Sequence, residues 1–233
     1  MSTRYDVLLC DADNTIFDFN RAEENAFAEA CLRMGLEATA DRLALYSRIN
    51  EALWRLFEQG GITQSALRVR RFEQFLEAIG HAELDAQAMA QAFVEALGRQ
   101  SVPIDGAIDA LRRWSRLLPV IIVTNGIARV QHGRMDGSEA RHYIRGMVIS
   151  EEVGAAKPDP RMIEAGMAAA GVSDRSRVLM LGDSLSSDIA AAANAGVDAC
   201  WYNPRGKANE SGLPIAYTIR SLDEVDAILA GGE

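Results

Sequence analysis

From residue 103 onward, short apolar runs alternate with amphipathic stretches almost without interruption. IDGAIDALRRWSRLL leads into PVIIVTNG, GMVIS (146–150) into KPDPRMIEAGMAAAG, and RVLMLGD into SSDIAAAANAG, with ACWY, AYTI and SLDEVDAILA completing the series. The runs are apolar at nearly every position, the pattern of strands covered on both faces. The stretches between them carry apolar residues at three- and four-residue spacing, as at Ile104, Ile108, Leu111, Trp114 and Leu118, which marks helices with one buried face. Asp159 stands where it can cap its helix, and Pro160 suits the first helical position. Strands that alternate with helices predict a parallel sheet, because a crossover helix brings each strand back in the same direction.

One strand precedes this series. DVLLC (6–10) is apolar and β-like, yet the next 80 or so residues read as helix after helix. Gly35, Gly60, Gly80 and Gly98 each follow such a segment, as glycine does just past a helix C-terminus. A lone strand, a helical block and then the remaining βα units predict an insertion after the first strand. The expected fold is α/β, a Rossmann-like parallel sheet core with an inserted α-helical cap domain. Residues 1–17 and 101–233 would form the core and 18–100 the cap.

The polar signals fall at strand ends. Asp11 and Asp13 follow VLLC, Thr124 and Asn125 follow VIIV, Lys157 lies in the loop after GMVIS, and Asp183 with Asp188 follows RVLML. In a parallel sheet those tips face one crevice, where open α/β sheets bind ligands. Carboxylates converging without histidine or cysteine suit a hard cation such as Mg²⁺. A lysine, a hydroxyl and backbone amides suit an oxyanion. A phosphoryl group satisfies both, and its transfer needs mainly positioning and charge neutralisation. A carboxylate approaching a phosphate meets repulsion of roughly 4 kcal/mol per pair of unit charges at about 4 Å and an effective dielectric near 20. One divalent ion and one lysine offset it. Residues two apart on an extended strand point the same way, so Asp11 and Asp13 can address one substrate as nucleophile and proton donor.

These motifs resemble a known family. DADNT matches the D-x-D-x-T signature of the haloacid dehalogenase superfamily of phosphatases, and Thr124, the Lys157 of EEVGAAKPDP and GDSLSSD follow in that family's order. The resemblance runs from residue 6 to about 200, and the helical insert is similar to a C1 cap. It implies that Asp11 attacks phosphorus to give an aspartyl-phosphate. Asp13 would protonate the leaving oxygen, then activate water, with its carbonyl on Mg²⁺. Asp11 and Asp183 would be side-chain metal ligands, and Asp188 would stand behind them or hold a Mg²⁺-bound water. Thr124 and the Asn125 amide would grip phosphoryl oxygens, while Lys157 neutralises nucleophile and phosphate together.

VISEEVGAAKPDP with TNGIARVQ is similar to pyrimidine-type 5′-nucleotidases of the YjjG/YfnB type. That implies a small phosphorylated metabolite, a nucleoside monophosphate, as substrate. Phosphoglycolate and sugar-phosphate phosphatases share much of this wording, and phosphomutase or 2-haloacid dehalogenase chemistry are further alternatives. Asp13 argues against a dehalogenase, which has no leaving alcohol to protonate. The segment 133–145 departs from the family's wording, with Arg145 where an acidic residue is common, and is expected to affect packing more than chemistry.

Other features take plainer readings. A net charge of −9 speaks against a nucleic acid polymer as partner. No run reaches a membrane span's roughly 18 apolar residues, and MSTRYDVLLCD has no signal-peptide pattern. Cys10, Cys31 and Cys200 lack C-x-x-C spacing and are expected as reduced, buried thiols of a cytoplasmic protein, monomer or homodimer. Asp18 reads as solvent-facing or a helix cap, Thr15 as a brace of the loop, and Arg68, Arg70 and Arg71 as a solvated helix face. His81, His132 and His142 have no metal-ligand spacing.

Overall fold

The computed structural model describes residues 3–231. Strands β1 (Val7–Cys10), β2 (Val120–Thr124), β3 (Gly146–Ile149), β4 (Val178–Gly182), β5 (Asp198–Tyr202) and β6 (Tyr217–Ile219) form one sheet. Its order is β3-β2-β1-β4-β5-β6 and every neighbouring pair is parallel. This is the doubly wound arrangement that the alternation predicts. Between β1 and β2 lie α1 (Phe19–Arg33), α2 (Ala40–Glu58), α3 (Gln64–Ala78), α4 (Ala86–Leu97) and α5 (Ala107–Trp114). After β2 come α6 (Ala128–Asp136), α7 (Ser150–Val153), α8 (Arg161–Ala170), α9 (Ala190–Ala195) and α10 (Glu224–Leu229).

Alternation along each strand divides the core. Leu8, Cys10, Val120, Ile122, Leu179 and Leu181 face a cluster with α5 and α10, where Trp114, Val225 and Leu229 are fully buried. Val7, Leu9, Ile121, Val123, Val178 and Met180 face the opposite cluster with α8 and α9. Period-two side chains thus fill both faces. Helix α8 comes close to the sheet because a Cβ on Gly166 would sit 2.9 Å from Leu9.

The four helices α1–α4 hold a third cluster of their own, built on Phe27, Tyr46, Phe72, Phe75 and Phe93. Tyr46 stacks on Phe27 and Phe72 at 4.9 and 5.1 Å. The chain leaves and returns to the core at one point: Phe17 bridges Pro103, and the Asp18 N–H donates to the Val102 carbonyl at 2.9 Å.

Several local expectations change. Gly35, Gly60 and Gly80 take left-handed φ of 71°, 74° and 78°, but Gly98 is right-handed at −63°. Its carbonyl approaches α6 closely because position 133 is glycine: a Cβ on Gly133 would lie 2.6 Å from it. Arg71 is not on a solvated face: it is 1% exposed, its guanidinium 4.6 Å from the Phe93 ring centroid and bonded to Asn50 at 3.0 Å. Its aromatic neighbours come from three helices and so escape a reading of α3 alone. Arg70 is exposed, and Arg68 pairs with Glu151 of α7 at 2.5 Å. The stretch after Asp183 opens with a π-turn, Leu185–Ile189, before α9 begins. Asp159 accepts from the Arg161 N–H at 2.9 Å, but Pro160 holds the N-cap position and α8 begins at Arg161, one residue later than expected. All three cysteines are buried and free.

Candidate active site

Asp11 follows β1, and its N–H still donates to the Leu181 carbonyl at 2.9 Å, so the sheet fixes its backbone. The chain then turns through Asn14, which adopts φ 58°, a left-handed conformation that asparagine tolerates. The N–H groups of Ile16 and Phe17 close the turn on the Ala12 carbonyl. Asp18 caps α1 by accepting from the Arg21 N–H at 3.0 Å, the bystander role expected of it. Thr15 is fully buried, but its hydroxyl has no hydrogen-bond partner among the described residues.

Lys157 is the hub. Its Nζ donates to Asp11 at 2.5 Å, Asp188 at 2.6 Å and the Val123 carbonyl at 2.7 Å, with the side chain 1% exposed. Asn125 aligns it from the neighbouring strand tip: its amide donates to the Lys157 carbonyl at 2.8 Å and accepts the Lys157 N–H at 2.7 Å. Thr124 is 1% exposed and its hydroxyl accepts the Gly126 N–H at 3.1 Å. On the β4 side, the Asp183 carbonyl accepts from the Trp201 indole at 3.0 Å and Asp188 accepts the Ser184 N–H at 3.0 Å. Gly182 leaves the space that the Asp188 carboxylate fills. The π-turn brings Asp188 back under the crevice.

Carboxylate oxygens of Asp11, Asp183 and Asp188 lie within 4.8 Å of one another. Burial pushes the Asp11 carboxyl well above the usual range, as do Asp188, Asp13 and Asp183 against the opposing pull of Lys157. Burial, then Asp188, pushes Asp183 up to about 7. Burial opposes charge on Lys157, yet Asp11 and Asp188 hold its pKa above the ordinary lysine value. Three carboxylates against one ammonium leave an excess of negative charge in a poorly solvated place. An oxygen-only set of this kind fits a hard divalent cation.

Asp13 points elsewhere. Its carboxylate pairs with the Arg134 guanidinium and accepts from the Gln131 amide at 2.8 Å. Arg134 is fully buried, stacks 4.8 Å from the Phe17 ring centroid and donates to the Gln100 carbonyl at 3.0 Å. Arg134 lies in the segment expected to affect packing more than chemistry, yet it and Gln131 hold the carboxylate of a candidate acid–base residue. The signal was the three-residue spacing of Gln131 and Arg134, which places them on one helix face. His81, His132 and His142 stay outside this cluster, His132 being exposed and bonded to Glu152.

Two adjoining cavities open on the cluster. The smaller is lined by Asp11, Asp13, Thr124, Lys157, Asp183 and Asp188. The larger, about 640 Å³, extends between the cap and the 201–207 loop. Asn14, Phe19, Trp54 and Asp183 line both.

A family model described as haloacid dehalogenase-like hydrolase matches residues 5–196. The chain belongs to that family. Pyrimidine 5′-nucleotidase YjjG of Escherichia coli is 32% identical over 226 residues, 97% of this chain and 98% of its own. Pyrimidine 5′-nucleotidase PynA of Streptococcus pneumoniae is 33% identical over 223 residues, 95% and 93% of the two chains. The HAD-hydrolase YfnB of Bacillus subtilis, crystallised with magnesium, superposes with a TM-score of 0.91 at 33% identity, covering 97% of this chain and 99% of that one. For this haloacid dehalogenase-like hydrolase, then, fold and family agree with the strand-end motifs. Among the described residues no helix is long and apolar enough to cross a membrane.

Proposed function

We propose that this hydrolase cleaves phosphate monoesters through an aspartyl-phosphate on Asp11, with Mg²⁺ as cofactor and nucleoside 5′-monophosphates as substrates. The observation that carries the reading is the Lys157 hub. A carboxylate held at 2.5 Å from a buried ammonium, at the floor of an open crevice, is oriented and neutralised for attack on an anion. The donor set fits a metal held by Asp11, Asp183 and the Asp13 carbonyl, and such an ion would supply further positive charge opposite the phosphoryl oxygens.

The residues then divide the work. Thr124 and the Asn125 N–H bind phosphoryl oxygens beside Lys157. An Asp11 oxygen forms a bond to phosphorus as the bond to the leaving oxygen breaks, and Asp13 gives that oxygen its proton. Water next attacks phosphorus, Asp13 takes the proton, and the bond to Asp11 breaks to release phosphate. Asp13 has to turn from Arg134 and Gln131 to do this. Asp188 touches no substrate and holds Lys157 in line.

The nucleotide reading rests on two supports. The larger cavity, about 640 Å³, far exceeds what a two-carbon acid such as glycolate fills. Two nearly full-length relatives are named pyrimidine 5′-nucleotidases. The test is phosphate release from UMP, dTMP, phosphoglycolate and ribose 5-phosphate, each with Mg²⁺ and with chelator. Nucleotides should lead in kcat/KM, chelation should abolish turnover, and Asp11→Asn should remove it in a folded protein. Metal-independent turnover, or an active Asp11→Asn variant, overturns the mechanism; a better non-nucleotide substrate overturns the specificity.

A further inference from the structure

The larger cavity has a polar patch on its cap side that the phosphate chemistry does not use. Glu23 of α1 and Ser47 and Asn50 of α2 line it. Glu23 is 8% exposed and Asn50 4%. One Glu23 oxygen accepts from Ser47 at 2.9 Å and the other from the Asn50 amide nitrogen at 2.8 Å. Behind them Arg71 donates to the Asn50 carbonyl oxygen at 3.0 Å. An arginine has only donors, so this bond fixes which way the Asn50 amide faces. Its nitrogen must point toward Glu23. Burial raises the Glu23 carboxyl above its ordinary range, against the opposing pull of Ser47, Arg71 and Asn50.

The hydrogen-bond inventory is then simple. An amide NH₂ has two hydrogens and one is spent on Glu23; each carboxylate oxygen has two lone pairs and one is spent. One lone pair on each Glu23 oxygen and one Asn50 N–H remain, on two side chains that line the cavity, with the amide's orientation locked from behind by Arg71. Trp54, one turn further along α2, lines both cavities.

We propose that Glu23 and Asn50 read the pairing edge of a pyrimidine base, Glu23 accepting a ring or exocyclic N–H and Asn50 donating to the adjacent acceptor. For uracil and thymine the donor is the N3–H and the acceptor a flanking carbonyl oxygen. Arg71 is a positioning residue that acts through Asn50. This inference rests on the nucleotidase reading above and names the residues that make it selective.

The experiment compares UMP with 3-methyluridine 5′-monophosphate, which carries a methyl group in place of the N3 hydrogen, using ribose 5-phosphate as the base-free reference. A hydrogen bond to a charged group sets the expected scale, so the intact chain should favour UMP over its methylated form by about 10- to 100-fold in kcat/KM. In Glu23→Ala the ratio should fall to within about threefold, because the acceptor and the bulk that excludes the methyl group have both gone. Equal turnover of the two nucleotides by the intact chain overturns the proposal without any variant, and so does a Glu23→Ala protein that keeps the full ratio. A preference for ribose 5-phosphate over UMP instead overturns the nucleotidase reading itself, and this proposal with it.

Discussion

At the scale of single residues, Asp183 states the site's electrostatic problem most simply. Its carboxyl is pushed up to about 7 by burial and by Asp188, whereas an unfolded aspartate titrates near 4. Below about pH 4 both states carry the proton and the native fold bears no penalty. Between about 4 and 7 the unfolded chain ionises while the native one holds its proton, so this group's contribution to stability is lost as pH rises. A bound divalent ion reverses the balance, since it prefers the ionised carboxylate and competes with protons. The rise in Tm that Mg²⁺ produces over chelator should therefore be near zero at about pH 5 and reach several degrees by about pH 8. Thermal melts across that range check it; a Mg²⁺ shift independent of pH would remove Asp183 from the metal site.

At the scale of elements, α6 matters most after the sheet. Gln131 and Arg134 project from it to Asp13, and Ile127 and Val130 at its start join the cap's apolar cluster. If it aims the proton donor, loosening it should hurt substrates in proportion to their need for a proton. Gln131→Ala should lower kcat for UMP, whose leaving alkoxide is a strong base, by about tenfold or more, and lower it less for p-nitrophenyl phosphate, whose leaving phenolate is weak. Steady-state kinetics on both esters check this; an equal loss on both would mean that Gln131 serves only packing.

The strands were legible because burial on both faces leaves the central ones apolar at nearly every position. The strand-end residues Asp11, Thr124, Lys157 and Asp183 followed from that placement. The links through α6 were legible only in part, because three-residue spacing puts Gln131 and Arg134 on one helix face but does not say what that face meets until the fold puts Asp13 beside it. Arg71 was hidden in the same way, its burial depending on Tyr46, Phe72 and Phe93 meeting in space.

At the scale of the whole molecule, apolar packing is divided into separate cores. Among the described residues, neither sheet-flanking cluster takes a buried residue from α1–α4, and the cap cluster takes only Ile127 and Val130 from outside. A chain with residues 20–98 replaced by a short flexible linker, and with Ile127 and Val130 made polar, should still melt cooperatively. It should retain Mg²⁺-dependent hydrolysis of p-nitrophenyl phosphate and lose any preference for nucleotides. Calorimetry and the same substrate series check both halves; a non-cooperative melt would show that the core depends on its cap.

The crossing at Phe17 and Pro103 has a mechanical side. Phe17 also bridges Asp13, and the Ile104 N–H donates to the Ile16 carbonyl at 2.8 Å. The cap is thus mounted on the turn that carries Asp13, like a lever on its fulcrum. Asp11 is tied one step earlier, into the sheet. A displacement applied at this crossing would therefore act directly on the turn of Asp13, whereas the Asp11 backbone is anchored by the sheet.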